Sequence, residues 1–417
     1  MVTRQNVRRF DFKKKPHKPY FLMYVAKYVI SFPDLKKRGA VIRKSEDMKE
    51  LEGKPYLLLV NHASLVDLNL MLKATHPYPV NNVMTLEGFN EYTEPLMRHL
   101  GVLGKRKFVT DINLIRNMKY CLHELKTIFT LFPETRYSLD GCTSFLPDSL
   151  GGLVRMMNVP VVMLKIRGNF VTSPHWSHKN KGIAVEADMF PIVKPEEIKS
   201  LSADEVMARI RDAFEYDDYR WQLENKVVID HPDRTNGLHC LLYKCAACGE
   251  EGHMNSGGCE LWCEKCGKRW RQNEYGQLEA LEGETEFSHI PDWYKWERAC
   301  VREELENETY NLETDVKISM MVDYKAIYNV GEGKLIHNNN GFSLVGCNGR
   351  LNYEQNPLSS YGLYADYYWY QIADVICIGN KDTLYYCFPK DNIPVAKARN
   401  TATRNTLIRH DFFLLQP

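Results

Sequence analysis

Short apolar runs alternate with helix-periodic segments over the first half of the chain. Runs of this length are typical of buried strands and are too short for helices. Predicted strands lie at 56–61, 83–85, 127–132, 159–166 and 182–190, and predicted helices lie at 65–74, 93–100, 112–126, 149–157 and 202–214. This alternation predicts an α/β fold, in which a mostly parallel sheet carries helices on both faces.

Two chemically active side chains follow the first predicted strand. His62 comes at its carboxyl end, where open α/β sheets place their chemistry, and Asp67 lies in the first turn of the next helix. A neutral imidazole can take a proton from a hydroxyl, and a carboxylate on its other nitrogen fixes the tautomer. The alternative is a capping box, in which Ser64 and Asp67 begin the helix and His62 is a polar turn residue.

Two later motifs favour the catalytic interpretation: FPETRYS at 132–138 and NVPVVMLKIRG at 158–168. In order, the chain has a strand ending in N-H-x4-D, a strand ending in F-P-E and an apolar strand opening with Val-Pro. This combination resembles the glycerolipid acyltransferases typified by lysophosphatidic acid acyltransferase, over about residues 20–220. The resemblance implies the same α/β fold and an acyl-donor site lined by the Val-Pro element.

The resemblance also assigns roles within FPETRYS. It implies that Glu134 binds the glycerol acceptor and that an arginine binds its phosphate. The family form is Phe-Pro-Glu-Gly-Thr-Arg-Ser, from which this chain departs: Glu134 and Ser138 keep their positions, but either Arg136 comes one position early or Tyr137 occupies the arginine position. We assign the phosphate role to Arg136; an acceptor with another head group is the alternative.

A compact cationic cluster lies between the two motifs. Lys105, Arg106 and Lys107 follow a glycine-containing turn, and cations beside backbone amides suit a phosphate ester. The alternative is a solvated surface loop. The related family has Gly-x-x-Phe-x-x-Arg here. In this chain Gly104 stands at the phenylalanine position and Lys107 at the arginine position, so the sequence leaves open which cation contacts a ligand.

Charge is uneven at the start of the chain, although the net charge over 417 residues is only +1 and predicts no nucleic-acid partner. A basic arm runs into an apolar segment at 20–32, which is too short to span a bilayer. We predict a membrane-associating segment at 1–34 that binds an anionic membrane surface on the cytoplasmic side; a helix packed on the domain is the alternative. The basic residues of the arm are Arg4, Arg8, Arg9, Lys13, Lys14, Lys15 and Lys18.

Twelve cysteines without a secretory signal indicate a reducing compartment. Two Cys-x-x-Cys pairs, each followed by glycine, are separated by 14 residues and predict a structural zinc ribbon at 238–283. Competing ligands, none of them in a pair, are Cys240, Cys259 and His253. The predicted zinc ligands are Cys245, Cys248, Cys263 and Cys266.

The remaining segments flank this ribbon. An acyltransferase domain is predicted at 35–230, and an antiparallel β domain at 284–417, barrel-like or pleckstrin-homology-like, ending in a helix at 394–408. Basic residues of that helix either meet lipid phosphates or form ordinary helix surface. They are Lys397, Arg399, Arg404 and Arg409.

Together these features predict a peripheral membrane acyltransferase of phospholipid biosynthesis. His62, oriented by Asp67, would deprotonate the hydroxyl of a lysophospholipid, most simply lysophosphatidic acid, for attack on an acyl thioester carried by coenzyme A or acyl carrier protein. The alternatives are a non-catalytic lipid-binding protein that keeps this fold and a zinc-ribbon scaffold protein.

Overall fold

The computed structural model describes residues 9–19, 25, 27–64, 66–107, 111–177, 181–323, 326–359, 362–369, 372–391 and 393–401. Residues 20–24 and 26 of the predicted segment at 20–32, the C-terminal end of the predicted helix at 394–408, and Arg4, Arg8, Arg404 and Arg409 lie outside the described residues. Three sheets follow one another along the chain. No helix among the described residues is long and apolar enough to cross a bilayer.

The first sheet has seven strands in the order β1-β7-β6-β2-β5-β3-β4. All its neighbours are parallel except β6 and β7, which confirms the predicted mostly parallel sheet. Its strands are β1 (Val41–Lys44), β2 (Leu57–Val60), β3 (Val80–Thr85), β4 (Val102–Lys105), β5 (Ile128–Leu131), β6 (Val161–Arg167) and β7 (Glu186–Val193).

Strands β1 and β4 were not predicted. For the stretch that supplies β4 the sequence predicts a glycine-containing turn followed by the cationic cluster, with a solvated surface loop as the alternative. In the structure Val102–Lys105 pairs in parallel with β3 at the edge of the sheet. β4 is an edge strand that pairs with one neighbour, and an edge strand tolerates a glycine such as Gly104. The missing side chain of Gly104 makes room for the Phe10 ring.

Helices cover both faces of this sheet. Leu57 and Leu59 of β2 pack into one core cluster and Leu58 and Val60 into another, as the two-residue period of a strand requires. All four are fully buried, and each contributes about 1.5–3 kcal/mol by leaving water. The position of β2 at the centre of the sheet follows from this continuous apolar run.

Five helices of this region agree closely with the predicted ones, and four shorter helices, at 32–37, 169–172, 218–224 and 238–241, were not predicted. Asp111 caps one of them, and Ser202 begins another with a capping box to Glu205. They are α1 (Phe32–Lys37), α2 (Val66–Ala74), α3 (Glu94–His99), α4 (Ile112–His123), α5 (Ser149–Met157), α6 (Asn169–Thr172), α7 (Ala203–Phe214), α8 (Asp218–Glu224) and α9 (Leu238–Leu241), with π or 3-10 turns at Lys27–Ser31, Glu46–Leu51 and Leu86–Gly88.

The second sheet is small and antiparallel, in the order β11-β10-β9-β8. Trp270 of its third strand is fully buried and packs edge-to-face on Trp293, at a ring-centroid distance of 4.9 Å. The strands are β8 (Met254–Gly257), β9 (Glu260–Cys263), β10 (Arg269–Gln272) and β11 (Leu278–Ala280).

The third region opens with a helix that was not predicted, α10 (Ile290–Glu306). Its aromatic composition favoured strands, but its buried residues recur at helical spacing, at Ile290, Trp293, Glu297, Val301 and Leu305. The helical period of the buried face therefore overrides the β propensity of the aromatic residues.

A seven-stranded antiparallel sheet follows, in the order β15-β14-β13-β12-β18-β17-β16, which confirms the predicted antiparallel β region. Within the described residues β15 and β16 each pair on one side only, so backbone pairing does not close the expected barrel. Its elements are β12 (Asn311–Met321), β13 (Tyr328–Asn338), β14 (Gly341–Gly346), β15 (Leu351–Gln355), β16 (Tyr364–Trp369), β17 (Ala373–Gly379), β18 (Leu384–Pro389), a 3-10 turn at Pro357–Ser359 and the helix α11 (Val395–Asn400).

The two described cations of α11 are engaged inside the protein. Lys397 forms ion pairs with Glu251 at 2.7 Å and with Glu304 at 2.9 Å. Arg399 is buried and donates to the backbone carbonyl of Tyr137. Neither the predicted lipid contact nor the alternative of ordinary helix surface fits these two residues.

Candidate active site and metal centre

Asn61 fixes the end of β2. Its side-chain amide donates to the Ile166 carbonyl at 2.9 Å, and its side-chain oxygen accepts from the Ile166 amide at 2.8 Å. The side chain thus replaces the next backbone pair with β6, because its amide offers the same donor and acceptor as a peptide. The chain leaves the sheet at this point, and the next residue is His62.

His62 and Asp67 are brought together as predicted. His62 Nδ1 lies 2.9 Å from Asp67 Oδ2. A carboxylate only accepts hydrogen bonds, so Nδ1 carries the proton and Nε2 is left as a proton acceptor. The His62 side chain is partly exposed, whereas Asp67 is fully buried.

The Asp67 carboxylate makes the contacts expected from both interpretations, the catalytic one and the capping one. Asp67 Oδ2 also accepts from the backbone amides of Ala63 at 2.7 Å and Ser64 at 3.0 Å, while Oδ1 accepts from the Asn169 side chain. Ser64 Oγ accepts from the Val66 amide at 3.2 Å. The carboxylate that begins α2 therefore also orients the imidazole, and its position is overdetermined.

Two aromatic rings flank His62. Its ring centroid lies 4.4 Å from that of Phe132 and 4.3 Å from that of Tyr137. The backbone adds two contacts between the loops: the Ser138 amide donates to the His62 carbonyl at 2.8 Å, and the His62 amide donates to Glu134 Oε1 at 3.2 Å. The FPETRYS loop thus holds the imidazole from both sides.

Glu134 and Ser138 lie behind the wall of the site. The Glu134 carboxylate is buried and accepts from the Ser144 amide at 2.7 Å and from the Tyr216 hydroxyl at 3.2 Å. Burial raises its pKa to about 7, against the opposing effect of the amides of Ser144 and His62. Ser138 Oγ donates to the Cys142 carbonyl at 2.7 Å. Acceptor binding by Glu134 stays a prediction, since neither side chain lines the cavity at His62.

The FPETRYS loop turns at Thr135. Thr135 has a φ of 61°, the left-handed conformation that glycine adopts most readily. After this turn the Tyr137 ring packs on His62.

His62 opens onto a cavity of about 1820 Å³. This exceeds the roughly 300–1,000 Å³ of ordinary small-molecule sites. Most of its wall is apolar, which suits long hydrocarbon chains. The apolar lining includes Met71, Val83, Met84, Met97, Leu100, Leu114, Met118, Phe132, Phe145, Leu150, Leu153 and Met207.

The cationic cluster divides between two environments. Lys105 and Lys107 line the cavity, and Lys107 Nζ lies 3.8 Å from the centroid of the Tyr364 ring. Arg106 is buried outside the lining, where its guanidinium faces the Asp382 carbonyl at 3.4 Å and burial lowers its pKa. β4 ends at Lys105, so Arg106 and Lys107 lie just beyond the strand.

Arg136 also lines the cavity. Its pKa is lowered to about 9, first by burial and then by the neighbouring cation of Arg399. The structure thus brings three of the predicted phosphate-binding residues, Lys105, Lys107 and Arg136, to the cavity that contains His62.

Two residues of the cavity were missed by sequence reasoning. His175 Nε2 lies 2.6 Å from Asp366 Oδ1, and the His175 ring lies 4.8 Å from the Tyr137 ring. Burial alone would raise the pKa of Asp366, but His175, with Lys107 and Arg399, holds it at about 2. Nothing in the sequence links these positions, because Asp366 comes from the third sheet.

The four predicted metal ligands converge. Cys245 Sγ lies 3.8 Å from Cys266 Sγ, and Cys248 Sγ lies 3.8 Å from Cys263 Sγ, with all four sulfurs within 4.8 Å of one another. A tetrahedron with Zn–S bonds of about 2.3 Å has edges of about 3.8 Å, so the group fits a tetrathiolate site.

The competing ligands are not part of this group in the described residues. Cys240 Sγ lies 3.7 Å from the neighbouring His239 Nε2, and Cys259 Sγ faces the Pro232 carbonyl at 3.3 Å. His253 likewise stays outside the cluster. The paired spacing of the four cysteines was therefore the informative signal.

Each knuckle turns at its glycine. Gly249 and Gly267 have φ values of 78° and 79°, and their amides donate at 2.9 Å to the carbonyls of Cys245 and Cys263. Helix α10 holds the first knuckle, since the Lys244 amide donates to Glu297 Oε1 at 2.8 Å. The left-handed turn explains the glycine after each pair.

No family model matches the sequence, and no curated protein matches it. Among solved structures, the chain is similar to the crystal structure of the 1-acyl-sn-glycerophosphate (LPA) acyltransferase PlsC from Thermotoga maritima. The similarity has a TM-score of 0.36 and a sequence identity of 15%, and it covers 49% of this chain and 88% of that chain. The chemistry of the site is therefore inferred from its own residues.

Proposed function

We propose that the chain is an O-acyltransferase that moves a fatty acyl group from a thioester to the hydroxyl of a lysophospholipid. The observation that supports this most directly is the His62–Asp67 pair, with its 2.9 Å contact, at the wall of a large and mostly apolar cavity. Acyl transfer needs a base beside a binding site for hydrocarbon chains, and this cavity has both.

The reaction needs one proton acceptor. His62 Nε2 takes the proton of the acceptor hydroxyl as its oxygen bonds to the thioester carbonyl carbon. The carbon–sulfur bond then breaks, and the departing thiolate takes the proton back from His62. Asp67 stabilises the imidazolium that forms between these steps. The thiol belongs to coenzyme A or to acyl carrier protein.

Lysophosphatidic acid is the reference acceptor for this proposal. Lys105, Lys107 and Arg136 line the cavity and would hold its phosphate. Fixing the phosphate also fixes the hydroxyl against the thioester, which removes much of the entropy cost of bringing two substrates together.

The direct test is incubation of the full-length protein with lysophosphatidic acid and radiolabelled acyl-coenzyme A, followed by separation of the lipids. We expect a labelled diacyl product that is absent with His62→Ala. Acyl carrier protein charged with the same acyl chain tests the other donor. Binding of lysophospholipid without transfer from either donor would instead identify a non-catalytic lipid-binding protein.

We propose that the four-cysteine group holds one structural zinc ion. Four thiolates complete a tetrahedron and leave no open position for a substrate or water. The metal would therefore stabilise the second sheet and take no part in acyl transfer. Metal analysis of protein purified without chelators tests this, and we expect one zinc per chain.

Attachment to an anionic membrane surface is also part of the proposal. Phe10 is buried and packs on Phe89 at 5.1 Å between ring centroids, so the described part of the basic arm lies along the domain. Its lysines at 13, 14, 15 and 18 stay exposed. We expect anionic liposomes to pellet the protein and salt to release it, since exposed charges are screened over about 10 Å at 0.1 M. Unchanged pelleting after deletion of residues 1–19 would exclude the arm.

A further inference from the structure

The third sheet closes the polar part of the cavity. Tyr364 and Asp366, two residues apart on β16, both line it. Lys107 lies against the Tyr364 ring, and the guanidinium of Arg399 donates to the Tyr137 carbonyl. The wall that faces the predicted phosphate-binding cations is thus made by a separate part of the chain.

Asp366 differs from the other carboxylates of this cavity. Asp111 accepts from two backbone amides of α4, Asp148 is half-exposed and paired with Arg211, and Asp204 is exposed. Asp366 is buried, with a side-chain exposure of 11%. Asp366 is therefore the carboxylate of this cavity that a bound ligand would contact with the least competition from solvent.

The contacts of Asp366 leave one oxygen for a ligand. His175 Nε2 lies at 2.6 Å and the Tyr367 amide donates at 3.2 Å, and both contact Oδ1. In the part of the chain that the structure describes, these are the hydrogen-bond and ion-pair contacts of this side chain. A donor on a bound molecule would meet Oδ2.

The charge of this wall disfavours a bare phosphate monoester. Such a group carries a charge of about −1.5 to −2 at neutral pH, whereas a phosphodiester carries −1. Asp366 adds a negative charge close to Lys107. This charge favours a ligand that is less negative than lysophosphatidic acid.

We infer that Asp366 is a specificity-determining residue that accepts a hydrogen bond from the acceptor's head group. The preferred acceptor is then a lysophospholipid whose phosphate is a diester carrying an ammonium or hydroxyl donor. Lys105, Lys107 and Arg136 bind the phosphate, and Asp366 binds the donor beyond it. This inference rests on the proposed acyl transfer, whose acceptor class it narrows.

The test compares three acceptors with one acyl chain: lysophosphatidic acid, lysophosphatidylethanolamine and lysophosphatidylglycerol. Each is assayed for acyl transfer, as kcat/KM, and for binding to the full-length protein by titration calorimetry. We expect the two diesters to exceed lysophosphatidic acid by about tenfold or more, since hydrogen bonds to a charged group typically contribute that much. Asp366→Asn should reduce this ratio to near one.

Asp148→Asn is the matched control, because it removes another carboxylate of the cavity that is paired with Arg211 at the surface. It should leave the acceptor ratio as in the wild type. The ranking of acceptors by the wild-type protein does not depend on whether Asp366→Asn folds.

The outcomes separate the inference from the function on which it rests. Transfer to all three acceptors with lysophosphatidic acid preferred would overturn the role of Asp366 and leave acyl transfer standing. Absence of transfer to any acceptor would overturn the proposed reaction, and the calorimetric ranking would then decide the role of Asp366 alone. Equal binding of the three lipids would overturn that role as well.

Discussion

The four-cysteine group and the His62 cavity are assembled in opposite ways. All four thiols come from residues 245–266, and two glycine turns place them. The cavity brings together polar residues from widely separated stretches of chain, among them His62, Lys105, Arg136, His175 and Asp366, and from two sheets. A site closed by local turns can be recognised from spacing, whereas a site closed by packing requires the whole fold.

The two sites also differ in what holds them in place. A metal ion held by the four thiolates would concentrate the energetics of that site in four bonds. The His62 site is fixed by many small contacts: a carboxylate with four donors, two flanking rings and an asparagine bridge. Removing one contact should therefore affect the four-cysteine group more than the His62 site.

Loss of a metal ligand should have the largest effect. Apparent binding free energies at structural zinc sites are about 10–16 kcal/mol, so Cys263→Ser should release the metal and unfold the second sheet. Zinc content and thermal unfolding measure this. Cys259→Ser is the control, because Cys259 lies outside the group. Full zinc occupancy in Cys263→Ser would contradict the assigned ligands.

Removal of the base comes next. His62→Ala should lower the acyl-transfer rate by about 10²-fold to 10⁴-fold with little change in melting temperature. Asp67→Asn should lower both rate and melting temperature, because its carboxylate orients His62 and accepts amides at the start of α2.

Ser64→Ala is the matched comparison for this pair. It removes the bond from the Val66 amide and the bond that Ser64 Oγ donates to Asn169 Oδ1. This should cost about 1 kcal/mol of stability and leave the rate nearly unchanged. If Asp67→Asn lowers the melting temperature but leaves the rate normal, Asp67 acts only as a helix cap.

The Glu134 carboxyl should produce a pH dependence of stability. Its pKa is about 7 in the folded protein against an ordinary 4.5, so the folded state binds more protons between these values. Stability is then greatest below pH 4.5 as far as this group is concerned, falls as the pH rises to 7, and is flat above it. The fall corresponds to about 3 kcal/mol.

Chemical denaturation at several pH values measures this fall. Glu134→Gln cannot ionise and should flatten the profile, although its amide group replaces one acceptor for the amides of His62 or Ser144. An unchanged profile in Glu134→Gln would assign the pH dependence to another group.

The smallest predicted effect separates two neighbouring cations. Lys107→Ala should raise the KM for the phospholipid about tenfold, as expected for loss of a charged contact, because Lys107 lines the cavity. Arg106→Ala should lower the melting temperature and leave KM nearly unchanged, since Arg106 is buried outside the lining. The reverse result would mean that Arg106, and not Lys107, contacts the substrate.

Local pattern was enough for much of the fold. Apolar runs predicted five strands of the first sheet, capping residues and apolar period predicted five of its helices, and turn residues predicted the antiparallel third sheet. It failed at β4, where glycines conceal an edge strand, and at α10, where aromatic composition conceals a helical period. In both cases contacts with a neighbouring element stabilise the segment: β4 pairs with β3, and α10 packs against the second sheet.

By itself the sequence determined the His62–Asp67 pair and the four-cysteine group, because strand ends, helix starts and short turns fix positions only a few residues apart. Only the tertiary structure decided which cations reach the cavity, that Glu134 lies behind its wall, and that Asp366 completes it. Those relations depend on how separate sheets pack, and packing is set by contacts between residues far apart in the chain, which no local pattern encodes.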